Sequence, residues 1–271
     1  MSLIYEDKLK MIPENKYLFS VTSLNIYKHY PFEFFRKILL KEQDNFANFN
    51  TILGTIIHHL CSEYLLGKAI NDIKKEIVEY VDTLDSKEFD KSLLLLKFNQ
   101  MYENVIQTLE YNKFNYGEAN DIEKSYIYQL TENVYIGGTL DLRIGSRIVD
   151  YKTSSNKYLK DEGEITDIYL NQLYGYAWLC YKHNIEIANL SIQYFTIPDL
   201  ERFSEITHKP LKGYPCRSVF QNSIINGEIM QEMDKTIYLI AETIEYILKN
   251  PKSFKYFGGD LNLNLEVTSG N

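Results

Sequence analysis

Residues 135–154, YIGGTLDLRIGSRIVDYKTS, decide the fold of this chain. Two segments rich in Ile, Leu, Val and Tyr flank the dipeptide Gly-Ser at 145–146, and glycine in the first position favours a type II′ turn. The stretch therefore predicts a β-hairpin. A two-residue turn also fixes the register, and counting outward from it places Asp141 directly opposite Asp150.

The predicted hairpin has two chemically different faces. Side chains alternate along a strand, so Asp150 and Lys152 share one face, with Lys152 opposite Thr139. The other face is apolar and is expected to enter a core; its members are Leu140, Leu142, Val149 and Tyr151.

The facing acids are the first indication of function. Two carboxylates opposite each other on adjacent strands repel, unless a cation such as a hard divalent ion lies between them. A nearby lysine can position a water molecule and offset charge on a phosphoryl transition state. The residues alone leave a second interpretation open, in which the hairpin is exposed and its acids are solvated or paired with Lys152 or Arg143.

The spacing Asp-x-Lys by itself indicates little in a chain with 24% charged residues. Asp72-Ile-Lys74 and Asp85-Ser-Lys87 have the same spacing, but they lie in a segment with a helical pattern. Residues two apart do not share a face of a helix. Asp150-Tyr-Lys152 differs because it follows an apolar strand and has an acid nine residues upstream.

The rest of the pattern predicts an α/β protein: a mixed central sheet flanked by helices, with a helical insertion. A polar lead-in, 1–19, precedes a helix that Ser23 caps, and a second helix begins at 51–54. We expect one domain, 1–271, with the insertion at about 69–116 and a core of about 20–68 and 117–250. The predicted strands are 121–130, 134–144, 147–153 and 188–197, and the later helices are 167–183 and 220–249, the last stopped by Pro251.

Composition limits the class of protein. The net charge is -8, which counts against a protein that coats nucleic acid through a basic surface. The 23 Tyr and 14 Phe include rings that could stack on unpaired bases. There is no apolar run of membrane-spanning length and no signal peptide, so we expect no membrane association and a cytoplasmic location. The three cysteines form no C-x-x-C pair.

Several motifs together resemble a known family. Gly138-Thr-Leu-Asp141, Ile148-Val-Asp150-Tyr-Lys152-Thr153 and Gln172-x-x-x-Tyr176 are similar to the G-x-x-D, D-x-K and Q-x-x-x-Y motifs of RecB-like nucleases in the PD-(D/E)XK superfamily. Upstream, Gly54-Thr-Ile-Ile-His58 resembles the family's G-x-x-x-H helix, and Ser20 to Phe34 resembles its first helix. The motifs occur in the family's order from about Ser20 to Tyr176.

The resemblance implies a Mg²⁺-dependent deoxyribonuclease, with Mn²⁺ substituting. His58, Asp141, Asp150 and the Tyr151 carbonyl would bind the metal, and Asp141, Asp150 and Lys152 would be catalytic. It further implies an exonuclease acting on DNA ends or single strands in repair or recombination, with a helicase or recombination protein as a possible partner. The alternatives are a DNA-binding or assembly subunit that does not cut, and an RNA-directed nuclease.

Gln172 and Tyr176 lie on one helical face and either orient the site or nucleic acid or form a packing pair. Many relatives bind a four-iron cluster through a cysteine before the first-motif proline and a C-terminal cysteine cluster. Here Tyr30 precedes Pro31 and no cysteine follows Cys216, so we expect no iron–sulphur cluster.

Other polar residues have interpretations that remain open. His59 is expected on the surface, able to pair with Glu63. Glu123, in the strand before the hairpin, occupies a place where relatives often have an acid, and it is expected to be structural and not a ligand. The polar loop after Thr153 either contacts phosphates or is solvated. The same choice applies to the basic residues of the first helices, Lys28, Arg36, Lys37 and Lys41.

Overall fold

The structure is a computed structural model, and it describes residues 12–42, 48–85, 89–156, 159, 163–199, 202–203, 210–211 and 213–257. The strands are β1 (Tyr17–Ser20), β2 (Asp121–Gln129), β3 (Val134–Ile144), β4 (Arg147–Ser154), β5 (Asn189–Thr196), β6 (Arg202–Phe203), β7 (Pro210–Leu211) and β8 (Ser218–Ile224). The helices are α1 (Leu24–His29), α2 (Pro31–Leu40), α3 (Phe49–Leu65), α4 (Ile70–Thr83), α5 (Lys91–Tyr116), α6 (Asp167–Lys182) and α7 (Gly227–Lys249). Short 3-10 turns cover Val21–Ser23 and Pro251–Phe257.

The central sheet is mixed. Its order is β1-β3-β4-β5-β8, with β2 paired to the other edge of β3. The β1–β3 and β4–β5 pairs are parallel, whereas β2–β3, β3–β4 and β5–β8 are antiparallel. The separate pair β6–β7 is antiparallel.

Helices cover both faces of this sheet, as the sequence predicts. One buried cluster packs α1, α2, α6 and α7 against the sheet around Trp178, Phe19 and Ile237. The second cluster packs α3, α4 and α5 against the opposite face, around Ile57, Phe98 and Tyr151. The α/β prediction is therefore confirmed. No helix in the described part of the chain combines the length and the apolar character that crossing a bilayer requires.

The hairpin turn is as predicted. Gly145 has φ 56°, and Ser146 is not among the residues with positive φ, as a type II′ turn requires. The register also matches near the turn, where Ile144 pairs with Arg147 and Leu142 with Val149.

The ladder changes at Asp141. β1 pairs with β3 at 134–137, and β4 pairs with the same edge of β3 at 142–144. Residues 138–141 lie between these two partners and are unpaired on that edge. On the other edge, the β2–β3 ladder skips Glu123 and Asp141, and Glu123 has φ 45°. The strands therefore separate where the sequence places its functional acids.

This separation corrects the prediction for the apolar face of the hairpin. Leu142, Val149 and Tyr151 enter the cluster beneath α3 and α5. Leu140 instead lies in the cluster on the opposite face. The strict alternation of side chains fails between Leu140 and Leu142 because the backbone is distorted around Asp141.

Two further expectations about elements were wrong. The last helix begins at Gly227 and not at residue 220, because residues 218–224 form β8 beside β5. Asn226 caps that helix by accepting hydrogen bonds from the backbone N–H groups of Glu228 and Ile229. The polar lead-in ends in β1, and the side-chain cap at the first helical turn comes from Ser20, not Ser23.

Candidate functional site

Three side chains converge where β2 and β3 separate. His58 projects from α3, and its Nδ1 lies 3.4 Å from Oδ1 of Asp141 and 3.8 Å from Oε1 of Glu123. One ligand atom from each of the three residues lies within 4.8 Å of the other two, so they form a candidate metal-binding group. Among the residues the structure describes, it is the one cluster of this kind.

The main chain of β4 completes this group. Tyr151 donates its backbone N–H to Oδ2 of Asp141 at 2.7 Å, and its carbonyl oxygen lies 2.9 Å from Nε2 of His58. Asp141 thus faces the backbone of residue 151 instead of forming a ladder pair with Asp150. The predicted Tyr151 carbonyl does lie beside His58, at Nε2, whereas the two carboxylates face Nδ1 of the same ring.

Asp150 and Lys152 form the second part of the site, on the α6 side of β4. Nζ of Lys152 lies 2.6 Å from Oδ2 of Asp150, and both side chains are largely buried. Nζ also lies 5.3 Å from the centre of the Tyr169 ring, in the first turn of α6. Arg143 does not pair with these acids, since its guanidinium binds Asp121. The interpretation of an exposed hairpin is wrong because Asp141 and Asp150 are buried, although the pairing with Lys152 that it allowed is observed.

The Q-x-x-x-Y pair on α6 contacts the same acid. Nε2 of Gln172 donates to Oδ1 of Asp150 at 3.4 Å and to the hydroxyl of Tyr176 at 3.1 Å. Both residues are buried. The pair is thus packed in the core and in contact with the site at the same time.

The close packing of Tyr176 explains a glycine of the motif. A Cβ atom built on Gly138 would lie 2.8 Å from Cε1 of Tyr176 and 3.2 Å from a methyl group of Val21. Real Cβ atoms do not approach other atoms this closely. Only glycine at position 138 lets α6 come near enough to the unpaired edge of β3 to bring Gln172 to Asp150.

Burial and mutual repulsion set the charges of the acids. Burial, reinforced by the charge of Asp141, raises the pKa of Asp150 to about 6. Burial also raises the pKa of Glu123. Burial acts to raise the pKa of Asp141, but the charges of His58 and Lys152 outweigh it, and that pKa is lowered.

The two cationic groups respond in the opposite sense. Burial opposes the charged form of His58, yet the carboxylates of Asp141 and Glu123 raise the pKa of its imidazole well above the usual value. Burial likewise acts to lower the pKa of Lys152, but Asp150 and Asp141 raise it. Lys152 is therefore held as a cation.

This donor set fits a divalent cation. One imidazole nitrogen and carboxylate oxygens are the ligands that Mg²⁺, Mn²⁺ and similar ions accept, with oxygen preferred by the harder ions. Burial raises the pKa of Glu123 and of Asp150, and the negative charge of Asp141 adds to both shifts. A bound cation would offset this negative charge, so the residues present fit a metal.

The predicted site residues are thus close together, with one addition. His58, Asp141, Asp150, Tyr151, Lys152, Gln172 and Tyr176 form one connected set of contacts. Glu123, which we expected to be structural, joins His58 and Asp141, while Asp150 lies outside this trio. Relatives often carry an acid at this place, but nothing local to Glu123 signals its contact with His58, which depends on a positive φ.

His59 was predicted wrongly. It is 8% exposed, and its Nε2 lies 3.1 Å from Oε2 of Glu76 on α4. Its expected partner, Glu63, pairs with Lys68 instead. Packing of α4 against α3 covers the side of α3 that the sequence suggested would be exposed, and so removes His59 from the surface.

Three of the four basic residues of the first helices have partners within the chain. Arg36 pairs with Glu42, Lys37 with Glu33, and Lys41 donates to the carbonyl of Glu14. In the loop after β4, Lys157 and Lys160 lie outside the described residues. Whether these basic segments guide a nucleic acid stays a prediction.

The fold and the site point to the nuclease class of protein, since a mixed sheet holds buried acids and a lysine where the strands of the hairpin separate. The profile of the PD-(D/E)XK nuclease superfamily matches residues 18–252. The chain belongs to this superfamily, whose members use divalent metal ions. No curated protein matches the chain. Membership of the RecB-like branch stays a prediction.

Three solved structures are similar to this chain, and only the first is similar enough to support the fold. A suspected exonuclease from Eubacterium rectale aligns over 93% of this chain and 88% of its own, with 17% identity and a TM-score of 0.54. A phage-related exonuclease from Haemophilus somnus 129PT covers 72% of this chain and 95% of its own, with 14% identity and a TM-score of 0.34. LHK-Exo in complex with dAMP covers 71% and 89%, with 11% identity and a TM-score of 0.32. At these identities the first likeness concerns the fold alone, and the other two carry no argument.

Proposed function

We propose that this protein is a metal-dependent deoxyribonuclease that hydrolyses phosphodiester bonds and acts on DNA ends or single strands. The observation that carries the proposal is the meeting of two groups at the splayed hairpin. His58, Glu123 and Asp141 lie close enough together to hold a metal ion, and Tyr151 joins them to the Asp150–Lys152 ion pair. Metal ligands close to a fixed cation can place the attacking water and neutralise the charge of the phosphate in phosphodiester hydrolysis.

The metal would be held by His58, Glu123 and Asp141, with Asp150 and the Tyr151 carbonyl as the further predicted ligands. When bound, Mg²⁺ or Mn²⁺ lowers the pKa of a coordinated water and neutralises charge on the phosphate. Glu123 extends the ligand set beyond the one that the sequence motifs imply. Its place next to Asp141 and His58 supports this assignment.

Lys152 is the side chain whose positive charge would act on the phosphate. Its ammonium group is fixed by Asp150 and by the face of the Tyr169 ring, so it is oriented before substrate arrives. From there it donates hydrogen bonds to a phosphoryl oxygen as negative charge grows on it. Gln172 and Tyr176 hold Asp150 and thereby keep Lys152 in place.

The reaction is a hydrolysis that balances with one water molecule. A bond forms between the water oxygen and phosphorus, and one phosphorus–oxygen ester bond breaks. The proton released by the water ends on the departing oxygen. The protein positions the water for attack opposite the departing oxygen and holds a cation near the phosphate. This cation reduces the repulsion between negative charges.

The test is digestion of end-labelled DNA. Single-stranded, linear duplex and closed circular duplex DNA, together with RNA of the same sequence, would be incubated with Mg²⁺, Mn²⁺ or chelator at matched salt. We expect cleavage of the linear DNA substrates with either metal, none with chelator, and slow cleavage of the closed circle. The protein should need no iron–sulphur cluster and be colourless after aerobic purification.

Other results would favour other functions. Folded protein that binds DNA but cuts none of these substrates would point to the non-cutting subunit. Cleavage of RNA alone would point to an RNA-directed nuclease. Equal cutting of closed circular and linear duplex would remove the preference for ends and leave the metal-dependent nuclease in place.

A further inference from the structure

The central sheet ends at β2 on one side and at β8 on the other. A strand at the end of a sheet presents backbone N–H and C=O groups on its outer edge, which can pair with a strand of another molecule. Natural proteins protect such edges with charged side chains, with bulges that distort the strand, with proline or with a covering group. The two ends of this sheet differ in this protection.

The outer edge of β2 is protected. The backbone N–H of Leu130 donates to Val134 of β3, so the even-numbered residues of β2 at this end bond to β3 and Ile127 faces outward. Nε2 of His183, which follows α6, lies 3.0 Å from the outward carbonyl oxygen of Ile127. The strand also carries the exposed cation Lys124 and is distorted where the ladder skips Glu123.

β8 has a regular and uncharged edge. Its seven residues pair one to one with β5 from Ser218 to Ile224, without a bulge. The stretch 218–227, SVFQNSIING, contains no charged residue and no proline. Among the described residues, β8 therefore lacks the protection that β2 has.

Hydrogen bonds at the two ends of β8 show which backbone groups face outward. The N–H of Ile225 donates to the carbonyl of Ala188, and the N–H of Thr196 donates to the carbonyl of Arg217. Bonding alternates along an antiparallel ladder, so the odd-numbered residues of β8 bond to β5. The N–H and C=O groups of Phe220 and Asn222 thus point away from the sheet, and none of the described residues bonds to them.

The side chains along this edge are largely apolar and exposed. Ile224 is 76% exposed. Phe220 stacks on Tyr116 of α5 with ring centroids 5.5 Å apart, and the guanidinium of Arg147 lies over both rings. Tyr116 and Tyr111 of α5 are exposed, and Tyr111 lines the same cavity as Phe220. An apolar margin therefore flanks the open strand.

We propose that β8 forms the interface of a homodimer, in which it pairs antiparallel with β8 of a second copy about a two-fold axis. The two central sheets would then be continuous across the interface, and the exposed rings of α5 would be covered beside it. The proposal concerns assembly and does not depend on the proposed nuclease activity.

The charge of the chain favours a second copy as the partner. Each copy has a net charge of -8, so two copies repel each other over most of their surface. An uncharged stretch is where two such copies can approach. A basic partner would instead be attracted to acidic surface, and the β8 edge offers it no carboxylate between residues 218 and 227.

The sequence of β8 is also compatible with pairing to itself. A two-fold axis beside residue 221 places Phe220 opposite the partner's Asn222, and Ser218 opposite the partner's Ile224. Each outward backbone group then meets another outward group, as an antiparallel ladder requires. No like charges lie opposite each other in this register.

Sedimentation of the full chain over a range of concentrations tests the proposal. We expect a reversible dimer with a Kd of about 10 µM or lower. Ile224→Lys adds a charge at an exposed position of the edge, so it should leave the fold intact and raise the Kd at least about tenfold. Gln129→Lys adds the same charge at an exposed, outward residue of β2 and should dimerise as the wild type does.

Distances between spin labels test the register without breaking the interface. Ile224→Cys takes a nitroxide, and the wild type is the labelling control because its three cysteines are buried. Residue 224 lies opposite residue 218 of the other copy, so the two labelled backbones should be six residues apart, or roughly 20 Å. Labels at Gln129→Cys should be about 40 Å apart or more, because nine strand spacings separate the two copies of β2.

Three outcomes would overturn the proposal. The first is a chain that stays monomeric throughout the concentration range. Hydrogen exchange would then show whether the amides of Phe220 and Asn222 are protected, which would assign the edge to another segment of the same chain, or are unprotected, which would leave it bare. The second is a dimer whose Kd is the same in folded Ile224→Lys and in the wild type. The third is a dimer in which the labels at residue 224 are as far apart as those at residue 129.

Discussion

Two segments of this chain have the same Asp-x-Lys spacing and opposite surroundings. In Asp150-Tyr-Lys152 the spacing lies on strand β4, and the two side chains form an ion pair of 2.6 Å in a buried site. In Asp72-Ile-Lys74 it lies on helix α4, where Asp72 is exposed and Lys74 instead covers the ring of Tyr102 at 3.4 Å.

The difference comes from backbone periodicity and not from the residues. Positions two apart share a face of a strand but are about 200° apart around a helix. The spacing of a motif therefore has chemical meaning only on the right element. The turn at 145–146 and the partner acid Asp141 identify that element for β4, and α4 has neither.

The largest expected effect is on the rate of DNA cleavage, and it directly tests the difference between the Asp-x-Lys segments of β4 and α4. Asp150→Asn and Lys152→Ala should each lower the rate of metal-dependent DNA cleavage by at least about 10²–10³-fold, because each removes a preorganised charge from the reacting phosphate. Asp72→Asn and Lys74→Ala should cut at the wild-type rate. Rates on end-labelled single strands measure this, with circular dichroism to verify folding. Near-normal cleavage by folded Lys152→Ala would remove the lysine from the proposed mechanism.

The comparison also indicates how much could be predicted from sequence. The hairpin followed from local rules, since the turn residues and the alternation are local properties, and β3 was predicted with its observed bounds. The proximity of His58 to Asp141 came only from the family resemblance. Nothing local to α3 indicates which strand it will meet.

What could not be predicted depends on long-range packing or on unusual backbone. Strand β1 is four residues long and pairs with β3 more than 110 residues away. Glu123 reaches His58 through a positive φ inside a strand, which short polar patterns do not encode. His59 is buried because α4 folds back onto α3. Arg147 resembles an ordinary strand residue until α5 and β8 bring their rings to it.

A second prediction concerns the close packing of α6 against β3 at Gly138, which has no counterpart at the Asp-x-Lys segment of α4. Gly138→Ala should lower the free energy of unfolding by about 1–3 kcal/mol, because the new Cβ would overlap the ring of Tyr176. Cleavage should fall as well, since Gln172 would be moved away from Asp150. Gly227→Ala is the control: a Cβ there meets no atom within 4 Å, so stability should stay constant or rise slightly. Denaturant unfolding of the three proteins measures the difference, and equal stability would mean that α6 can shift without cost.

A third prediction concerns an acid outside the candidate site. It tests whether a hydrogen-bonded carboxylate there contributes to stability without affecting cleavage. Glu245 of α7 accepts hydrogen bonds from the Thr131 hydroxyl at 2.6 Å and from the backbone and side-chain nitrogens of Asn133 at 3.1 and 3.2 Å. Burial acts to raise the pKa of Glu245, but these bonds outweigh it, and the pKa is lowered. Glu245→Gln should cost about 1–2 kcal/mol of stability at neutral pH and leave the cleavage rate unchanged.

The pH dependence of that loss has a defined sign. A lowered pKa in the folded state contributes stability above the unfolded pKa of about 4.3, and this stability is lost as the pH falls through the folded value. The difference in the free energy of unfolding between wild type and Glu245→Gln should therefore be largest near pH 7 and shrink below about pH 4. Asp72→Asn replaces an exposed acid, so its free energy of unfolding should equal that of the wild type at either pH. A difference that stays constant with pH would mean that the carboxylate charge is not what stabilises the α7 contact.

The smallest expected effect concerns Glu123, and it tests the part of the strand site that the motifs did not identify. Burial raises the pKa of Glu123, and its neighbour Asp141 adds to that shift, so its charge opposes folding when no metal is bound. Glu123→Gln removes the charge and keeps the size. In chelator it should raise the free energy of unfolding by less than about 1 kcal/mol or leave it unchanged.

With Mn²⁺ added, the wild type should gain stability by mass action, as should Asp72→Asn, whereas Glu123→Gln should gain much less. Thermal melts of the three proteins with chelator and with increasing Mn²⁺ would measure both effects. An equal metal-induced shift in Glu123→Gln and wild type would exclude Glu123 as a ligand, and the metal would then be held by His58, Asp141 and the β4 residues alone.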